Sequence, residues 1–211
     1  MNFLAHLRLG PDDPQLALGG LLGDFVKGTV SSMQLPEQVR QGVWLHRRID
    51  AFTDQHPLIL QSKRRVSDER RRYAGIMVDM FYDHLLVRHW PLFADQPLER
   101  FTARMYQAVL AQQELMPERA RAVLVRMARE DWLSSYAHLT NLHSALDNMS
   151  RRLRPGNSLP GAVHELERDY PHFEADFLQF MPDVIQFAES QAALLSDADV
   201  WQSILSSNSR A

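Results

Sequence analysis

Histidine and aspartate side chains recur in the first 84 residues of this 211-residue chain. They are His6, Asp24, His46, Asp50, Asp79, Asp83 and His84. The chain contains no cysteine, so nitrogen and oxygen atoms would have to hold any bound metal. Such ligands suit manganese, magnesium or iron better than a closed structural zinc site. Because a divalent metal lowers the pKa of a water and neutralises charge developing on a phosphoryl group, the pattern indicates hydrolysis of a phosphate ester.

Asp24 lies in an apolar, glycine-rich segment that runs from Gly19 to Gly28. An ionised carboxylate in that setting needs a cation, a metal or several hydrogen-bond donors. Taken alone, a helix cap or a buried salt bridge explains Asp24 as well as a functional role does.

A helix that begins near Pro36 is predicted to carry two further candidates. Val39, Val43, His46 and Asp50 follow one another in steps of four, three and four residues, which places them on one stripe. The valines direct this stripe toward the core, so His46 and Asp50 should point inward about one turn apart. A lone inward histidine is usually a core residue, whereas this pair favours a metal or proton site.

A second helix, from Ile76 to Trp90, is apolar on nearly every side and should be buried. It carries Asp79, Asp83 and His84. Two carboxylates and an imidazole inside such a helix need a positive partner, and a divalent metal binds both kinds of group. Pairing of the two aspartates with arginines is the alternative.

The elements that position these residues are predicted to be helices only. Apolar residues recur at spacings of three and four, which favours an all-α, single-domain helical bundle over residues 1–205, with a frayed tail over 206–211. Glycine and proline should separate about seven or eight helices. The predicted breaks fall at 10–14, 28–36, 56–57, 91–97, 117, 154–161, 171 and 182.

The net charge and the hydropathy of the chain indicate which kinds of partner it can bind. The formal net charge of −3 argues against a nucleic-acid binder. No apolar run approaches the roughly 20 residues that span a bilayer, so we expect a cytoplasmic protein without a membrane partner. A local basic segment is predicted to meet an acidic partner, with a solvated helix face as the alternative. Its cations are Lys63, Arg64, Arg65, Arg70, Arg71 and Arg72.

Several ordered motifs of this chain resemble those of bacterial acyl carrier protein phosphodiesterases. They are residues 2–7, 23–28, 45–50, 52–54, 83–84 and 88–90, with further likeness at 132–133 and 150–152. The resemblance implies hydrolysis of the phosphodiester that links 4'-phosphopantetheine to the serine of holo-acyl carrier protein, at a manganese-dependent site. It also implies a helical fold related to the His-Asp (HD) metal phosphohydrolases, in permuted order. Since acyl carrier proteins are acidic, it favours docking as the role of the basic segment.

Roles follow from residue type and from this resemblance. We predict Asp24, His46, Asp83 and His84 as the metal ligands. Catalytic or positioning roles are predicted for His6, Asp50 and Asp79, with His6 protonating the leaving oxygen. Arg47 and Arg48 are predicted to bind phosphate through the planar donor fork of guanidinium. The metal is expected to be Mn²⁺, with Mg²⁺ or Fe²⁺ as alternatives.

Two other functions remain open from the residues alone. The same ligands would serve an HD-type phosphohydrolase that acts on a nucleotide or another small phosphate ester. A non-catalytic helical binding module, whose polar residues are structural, is the second alternative. It predicts that a chelator leaves stability unchanged, whereas a metal held by several buried groups should stabilise the fold.

Overall fold

The computed structural model describes residues 1–207, and these form thirteen α-helices and three short 3-10 helices, without a β-strand. The predicted all-α fold is therefore confirmed, while its relation to the HD superfamily stays a prediction. The helices are α1 (Phe3–Leu9), α2 (Pro14–Leu22), α3 (Glu37–Gln55), α4 (Pro57–Arg65), α5 (Ala74–Arg88), α6 (Trp90–Phe93), α7 (Leu98–Leu110), α8 (Glu118–Arg129), α9 (Trp132–Ser135), α10 (Leu139–Ser150), α11 (Val163–Arg168), α12 (Tyr170–Leu195) and α13 (Ala198–Ser207). The 3-10 helices span Val30–Ser32, Arg71–Tyr73 and Gln113–Leu115.

The helix number exceeds the prediction because short helices leave no periodic signal. α6 and α9 have four residues each, too few for an apolar repeat to be recognised. At Pro182 the predicted break is wrong, since α12 continues through this residue. Proline removes one backbone hydrogen bond, but the fully buried Phe180 and Val184 anchor the helix on both sides of it. α13 includes residues 206 and 207 of the predicted tail, whereas 208–211 lie outside the described residues.

Helices α2 and α3 pack with their backbones almost in contact. A Cβ atom at Gly19 would lie 2.2 Å from the carbonyl oxygen of Val39, and one at Gly42 would lie 2.2 Å from that of Leu16. No side chain fits at either position, so two glycines permit this approach. The close packing holds the predicted inward stripe of α3 against the α2 backbone.

The aromatic core forms where α5 meets α12. Phe81 and Phe173 make an edge-to-face pair with ring centroids 5.3 Å apart, and Tyr82 and Phe177 make another at 5.3 Å. All four side chains are fully buried, which confirms that α5 is an interior helix. As for the bilayer, no helix in the described part of the chain has both the length and the apolar character needed to cross it.

Helix α1 is fixed to α5 by a buried carboxylate. Its own N-cap residue, Asn2, makes no capping hydrogen bond through its side chain. Instead Asp83 accepts hydrogen bonds from the N–H groups of Leu4 at 2.9 Å and Ala5 at 3.2 Å. Because a helix N-terminus leaves such N–H groups unpaired, this contact caps α1 from another helix and sets the direction in which His6 points.

Candidate metal centre and active site

Side chains from α1 and α3 converge on one carboxylate. His6 Nε2 lies 3.1 Å from Asp50 Oδ1, and His46 Nε2 lies 3.0 Å from Asp50 Oδ2. The potential ligand atoms of these three residues all lie within 4.8 Å of one another, and no other such group is found in residues 1–207. We call His6, His46 and Asp50 the metal centre. The predicted inward pair of α3 is thus joined by His6, which had been predicted as a catalytic acid.

The His46 ring is held in place from three sides. Its Nδ1 donates a hydrogen bond of 2.8 Å to the carbonyl oxygen of Gly20, which leaves Nε2 directed at Asp50. The ring stacks on that of His6, with centroids 3.8 Å apart and planes 24° from parallel. A Cβ atom at Gly23 would lie 2.1 Å from His46 Cδ2, so only glycine leaves room for the ring.

Asp24 completes the centre on the solvent side. Its Oδ1 lies 3.6 Å from His46 Nε2, and its side chain is 57 % exposed. Burial opposes ionisation, but the hydrogen bond and charge of His46 hold the pKa of Asp24 below its ordinary value. Asp24 is therefore an ionised carboxylate that both solvent and a substrate can reach.

His6 supplies the observation that tests the fit of a metal. Although Nε2 is close to Asp50, neither ring nitrogen of His6 forms a hydrogen bond of good geometry with any described residue, and both are buried. A buried nitrogen without a partner is costly, and few occur in folded proteins. Two imidazoles and a carboxylate are also a donor set that binds divalent first-row metals. The residues present therefore fit a divalent metal.

The protonation states of the three residues follow from their burial and their mutual contacts. Burial and the neighbouring charge of His46 lower the pKa of His6 to about 4, so His6 is a neutral imidazole. Burial would lower the pKa of His46 as well, but hydrogen bonds to Asp24 and Asp50 raise it to about 9. For Asp50, burial is outweighed by both histidines, which hold its pKa far below the ordinary value. A metal binding here would replace the Nε2 proton of His46.

Asp79 is connected to the centre only through the amino group of Met1. That group donates to Asp79 Oδ1 at 2.9 Å and lies 3.6 Å from Asp50 Oδ1. Burial lowers its pKa, but the charges of Asp79 and Asp50 outweigh this and raise it to about 10. Asp79 thus neutralises a cation beside the centre and is not one of the converging ligands.

The structure does not bring Asp83 and His84 to the metal centre. Asp83 caps α1, and burial raises its pKa to about 7. His84 Nδ1 donates to the carbonyl oxygen of Tyr136 at 2.7 Å, and the hydroxyl of Tyr170 lies 3.1 Å from Nε2. Burial lowers the pKa of His84. Both predicted ligands therefore have protein partners, and consecutive residues of a helix point about 100° apart, so one metal rarely receives both.

Arg47 and Arg48 are also engaged within the protein. Arg47 donates to the carbonyl oxygens of Gly28 at 2.7 Å and Val26 at 3.0 Å, which ties down the loop that follows Asp24. Arg48 donates to Gln191 at 3.0 Å and lies over the Trp44 ring. These contacts position the loop and α12, and neither guanidinium contacts the centre.

The basic segment divides into two groups. Arg65 and Arg70 pair with Asp176 and Glu165, two buried carboxylates, at 2.8 and 3.5 Å. Removal of Arg65 would leave the buried Asp176 without a charged partner, whereas Glu165 also pairs with Arg168 at 2.6 Å. Both Arg65 and Arg70 are thus engaged within the protein. The other four cations are on or near the surface. Lys63 and Arg71 pair with the exposed Asp54 and Asp68, Arg72 lies over Tyr73, and Arg64 makes no ion pair within residues 1–207.

A pocket of about 450 Å³ opens beside the centre and includes Asp24 in its wall. Its other walls come from the start of α1 and from α8, α9 and α10. None of the predicted site residues lies in α8, α9 or α10. Trp132 and Arg152, which belong to the family-like motifs, line the pocket and are the signal that could have identified it.

The chain is similar to known proteins over most of its length. A sequence profile of the family described as acyl carrier protein phosphodiesterase matches residues 1–184. The acyl carrier protein phosphodiesterase of Pectobacterium atrosepticum is 36 % identical over 192 residues, 90 % of this chain and 99 % of the relative. That of Escherichia coli O6:H1 is 34 % identical over 193 residues, 91 % and 100 % of the two chains. No solved structure matches this chain. By profile and by relatives, the chain belongs to the acyl carrier protein phosphodiesterase family.

Proposed function

We propose that this protein hydrolyses the phosphodiester that joins 4'-phosphopantetheine to the serine of holo-acyl carrier protein, which yields the apo-carrier. The reaction would take place at a centre in which His6, His46 and Asp50 hold a divalent metal, with Asp24 on the solvent side. The observation that carries this proposal is the convergence of two buried imidazoles on one carboxylate, with both nitrogens of His6 lacking a hydrogen-bond partner among the described residues. Membership of the family supports the choice of substrate.

Manganese is the proposed metal, with magnesium or iron(II) as alternatives. When bound, it would supply Lewis-acid stabilisation of the negative charge on the phosphoryl oxygens. Asp50 orients both imidazoles, because each of its oxygens faces one Nε2 atom at 3.0 to 3.1 Å. His6 is buried and neutral, which suits a ligand better than the acid that protonates a leaving group.

Asp24 is the chain's own group for moving a proton. It is the exposed carboxylate of the centre and it is ionised, so it can accept the proton of a water that attacks phosphorus. The P–O bond to the carrier serine then breaks, the departing serine oxygen takes a proton from solvent, and the exposed Asp24 returns its proton to solvent. Water, phosphorus and the leaving oxygen must lie roughly in line for this displacement.

The surface cations of the basic segment are proposed to guide the carrier. Arg64 and Arg72 are free of carboxylate partners among the described residues, and Lys63 and Arg71 hold only exposed ones. Exposed pairs contribute about 0–1 kcal/mol, so an acidic partner can exchange them. Such docking should weaken as salt screens it.

The test is to incubate the purified protein with holo-acyl carrier protein and Mn²⁺ and to follow the mass of the carrier. We expect the carrier to lose the 4'-phosphopantetheine group, and Asp50→Asn to slow this by at least about 100-fold, the upper range for groups that orient metal ligands. Glu37→Gln, which removes a carboxylate at an exposed position of the same helix, is the matched control and should keep its activity. An unchanged carrier mass with every divalent ion would exclude the function, and turnover of a nucleotide instead would favour a small-molecule phosphohydrolase.

A further inference from the structure

The pocket beside the metal centre is continuous with it. Asp24 belongs to both, since its Oδ1 lies 3.6 Å from His46 Nε2 and its side chain lines the pocket. Asn2, the N-cap of α1, and Phe3, its first residue, line the pocket, and His6 follows in the same short helix. A molecule with its phosphate at the centre could therefore extend past Asp24 into the pocket.

The lining of the pocket combines apolar and uncharged polar side chains. Phe3, Phe25, Met80, Trp132 and Met149 provide apolar walls. Side-chain amides and hydroxyls from α9 and α10 face the same space, and their residues are Ser135, Asn141, Ser144 and Asn148.

Two of these side chains have hydrogen-bonding atoms without a partner among the described residues. The amide of Asn148 makes no hydrogen bond to the rest of the described chain, and Asn141 uses only its Nδ2, which donates to the carbonyl oxygen of Ser135 at 3.0 Å. Of the charged groups in the wall, Arg126 pairs with Glu130 at 2.9 Å, while Asp24 and Arg152 supply one further charge of each sign. A long, uncharged ligand with amide groups would match these walls.

We infer that this pocket receives the pantetheine arm of the substrate, with the phosphate at the metal centre and the thiol end between α8 and α10. The inference rests on the proposed function. The arm carries a branched apolar segment and two amide groups and has no charge beyond its phosphate, so apolar walls with unpaired amides are complementary to it. A volume of about 450 Å³ also lies within the range of small-molecule sites, roughly 300–1,000 Å³.

The inference can be tested by placing a large side chain on α10 that occupies the pocket. Ala145 is half-buried and lines the pocket, whereas Ala122 on α8 is exposed and does not. Ala145→Trp should weaken the binding of 4'-phosphopantetheine, measured by calorimetry, by at least about tenfold, because the indole takes the space of the arm. Ala122→Trp adds the same volume outside the pocket and should bind as the wild type does.

A second variant covers the case in which Ala145→Trp fails to fold. Asn148 is exposed, so Asn148→Ala should fold normally. Loss of one hydrogen bond to the arm should weaken the binding of 4'-phosphopantetheine by about fivefold. The Mn²⁺ affinity and the melting temperature of Asn148→Ala should match those of the wild type.

Activity separates failure of this inference from failure of the proposed function. Ala145→Trp should lower kcat/KM for the holo-carrier and spare hydrolysis of bis(p-nitrophenyl) phosphate, a diester without the arm. If the variants bind 4'-phosphopantetheine like the wild type while the holo-carrier is turned over, the pocket assignment is wrong and the function stands. If the wild type binds 4'-phosphopantetheine through this pocket but never cleaves the holo-carrier, the function is wrong and the pocket stands.

Discussion

Gly23 lies against the imidazole of His46 so closely that a Cβ atom at position 23 would come within 2.1 Å of His46 Cδ2. Real Cβ contacts are never this short, so any side chain at position 23 must displace the ring. The ring in turn carries the Nε2 atom that faces Asp24 and Asp50. The absence of a side chain at position 23 therefore allows His46, a proposed metal ligand, to point at the centre.

We predict that Gly23→Ala weakens Mn²⁺ binding and activity by about 10- to 100-fold, because displacing an orienting contact costs this much at metal sites. Mn²⁺ affinity from calorimetry and turnover of the holo-carrier measure the effect. Gly75→Ala is the matched control, since its new Cβ would meet only Lys63 Cε at 3.9 Å. Equal metal affinity in the two variants would show that His46 is not a ligand.

His46 and His84 should differ in their effect on metal binding. We predict that His46→Gln loses Mn²⁺ affinity by more than about 100-fold, whereas His84→Gln changes it by less than about tenfold, below the range for groups that contact or orient a ligand. The reason is that both ring nitrogens of His84 already face Tyr136 and Tyr170. A loss of Mn²⁺ affinity in His84→Gln as large as that in His46→Gln would show that His84 is a metal ligand after all.

Removal of the metal should lower the stability of the folded protein. We predict that Mn²⁺ raises the melting temperature of the wild type and that a chelator reverses the change, because a ligand that binds only the folded state stabilises it by about 2.7 kcal/mol at 100 times its Kd. Asp50→Asn should show little of this rise, and Glu37→Gln should show all of it. A melting temperature that does not change when Mn²⁺ is added would support a non-catalytic binding module.

Asp83 predicts a dependence of stability on pH. Burial raises its pKa in the folded protein to about 7, from the ordinary value of 3.8. The carboxyl therefore favours the folded state fully below pH 3.8, and this contribution is lost as the pH rises through 7. In a chelator, urea unfolding of the wild type should lose roughly 4 kcal/mol from this group between pH 4 and pH 8.

Asp83→Asn cannot ionise, so its free energy of unfolding should fall less over the same pH range. Asp68→Asn, at a fully exposed position, should retain the wild-type slope. The comparison cancels the contributions of other groups, including His46. Parallel pH profiles for the wild type and Asp83→Asn would contradict the buried, proton-binding state of this carboxyl.

Arg65 should matter for stability and its neighbour Arg64 for docking. Arg65 is the charged partner of the buried Asp176, so Arg65→Gln should lower the free energy of unfolding by about 3 kcal/mol. Arg64→Gln should change it by less than about 0.5 kcal/mol and should instead raise KM for the carrier, more at low salt than at high salt. The reverse pattern in urea unfolding and steady-state kinetics would reassign both arginines.

The sequence by itself determined the features that lie within one helix. The pairing of His46 with Asp50 followed from steps of three and four residues, because the period of the α-helix alone places such residues on one face. The burial of α5 followed from its apolar composition. Membership of the family was carried by motifs spread over most of the chain.

Only the tertiary structure decided which helices share a site. His6 joins the centre because Asp83 caps α1 and so directs that helix, and the same contact occupies Asp83. Arg65 and Arg64 are adjacent in the sequence, yet only Arg65 faces a buried carboxylate. Helical periodicity gives the angle between residues of one helix but not the rotation of that helix against its neighbours, which packing of the whole core sets.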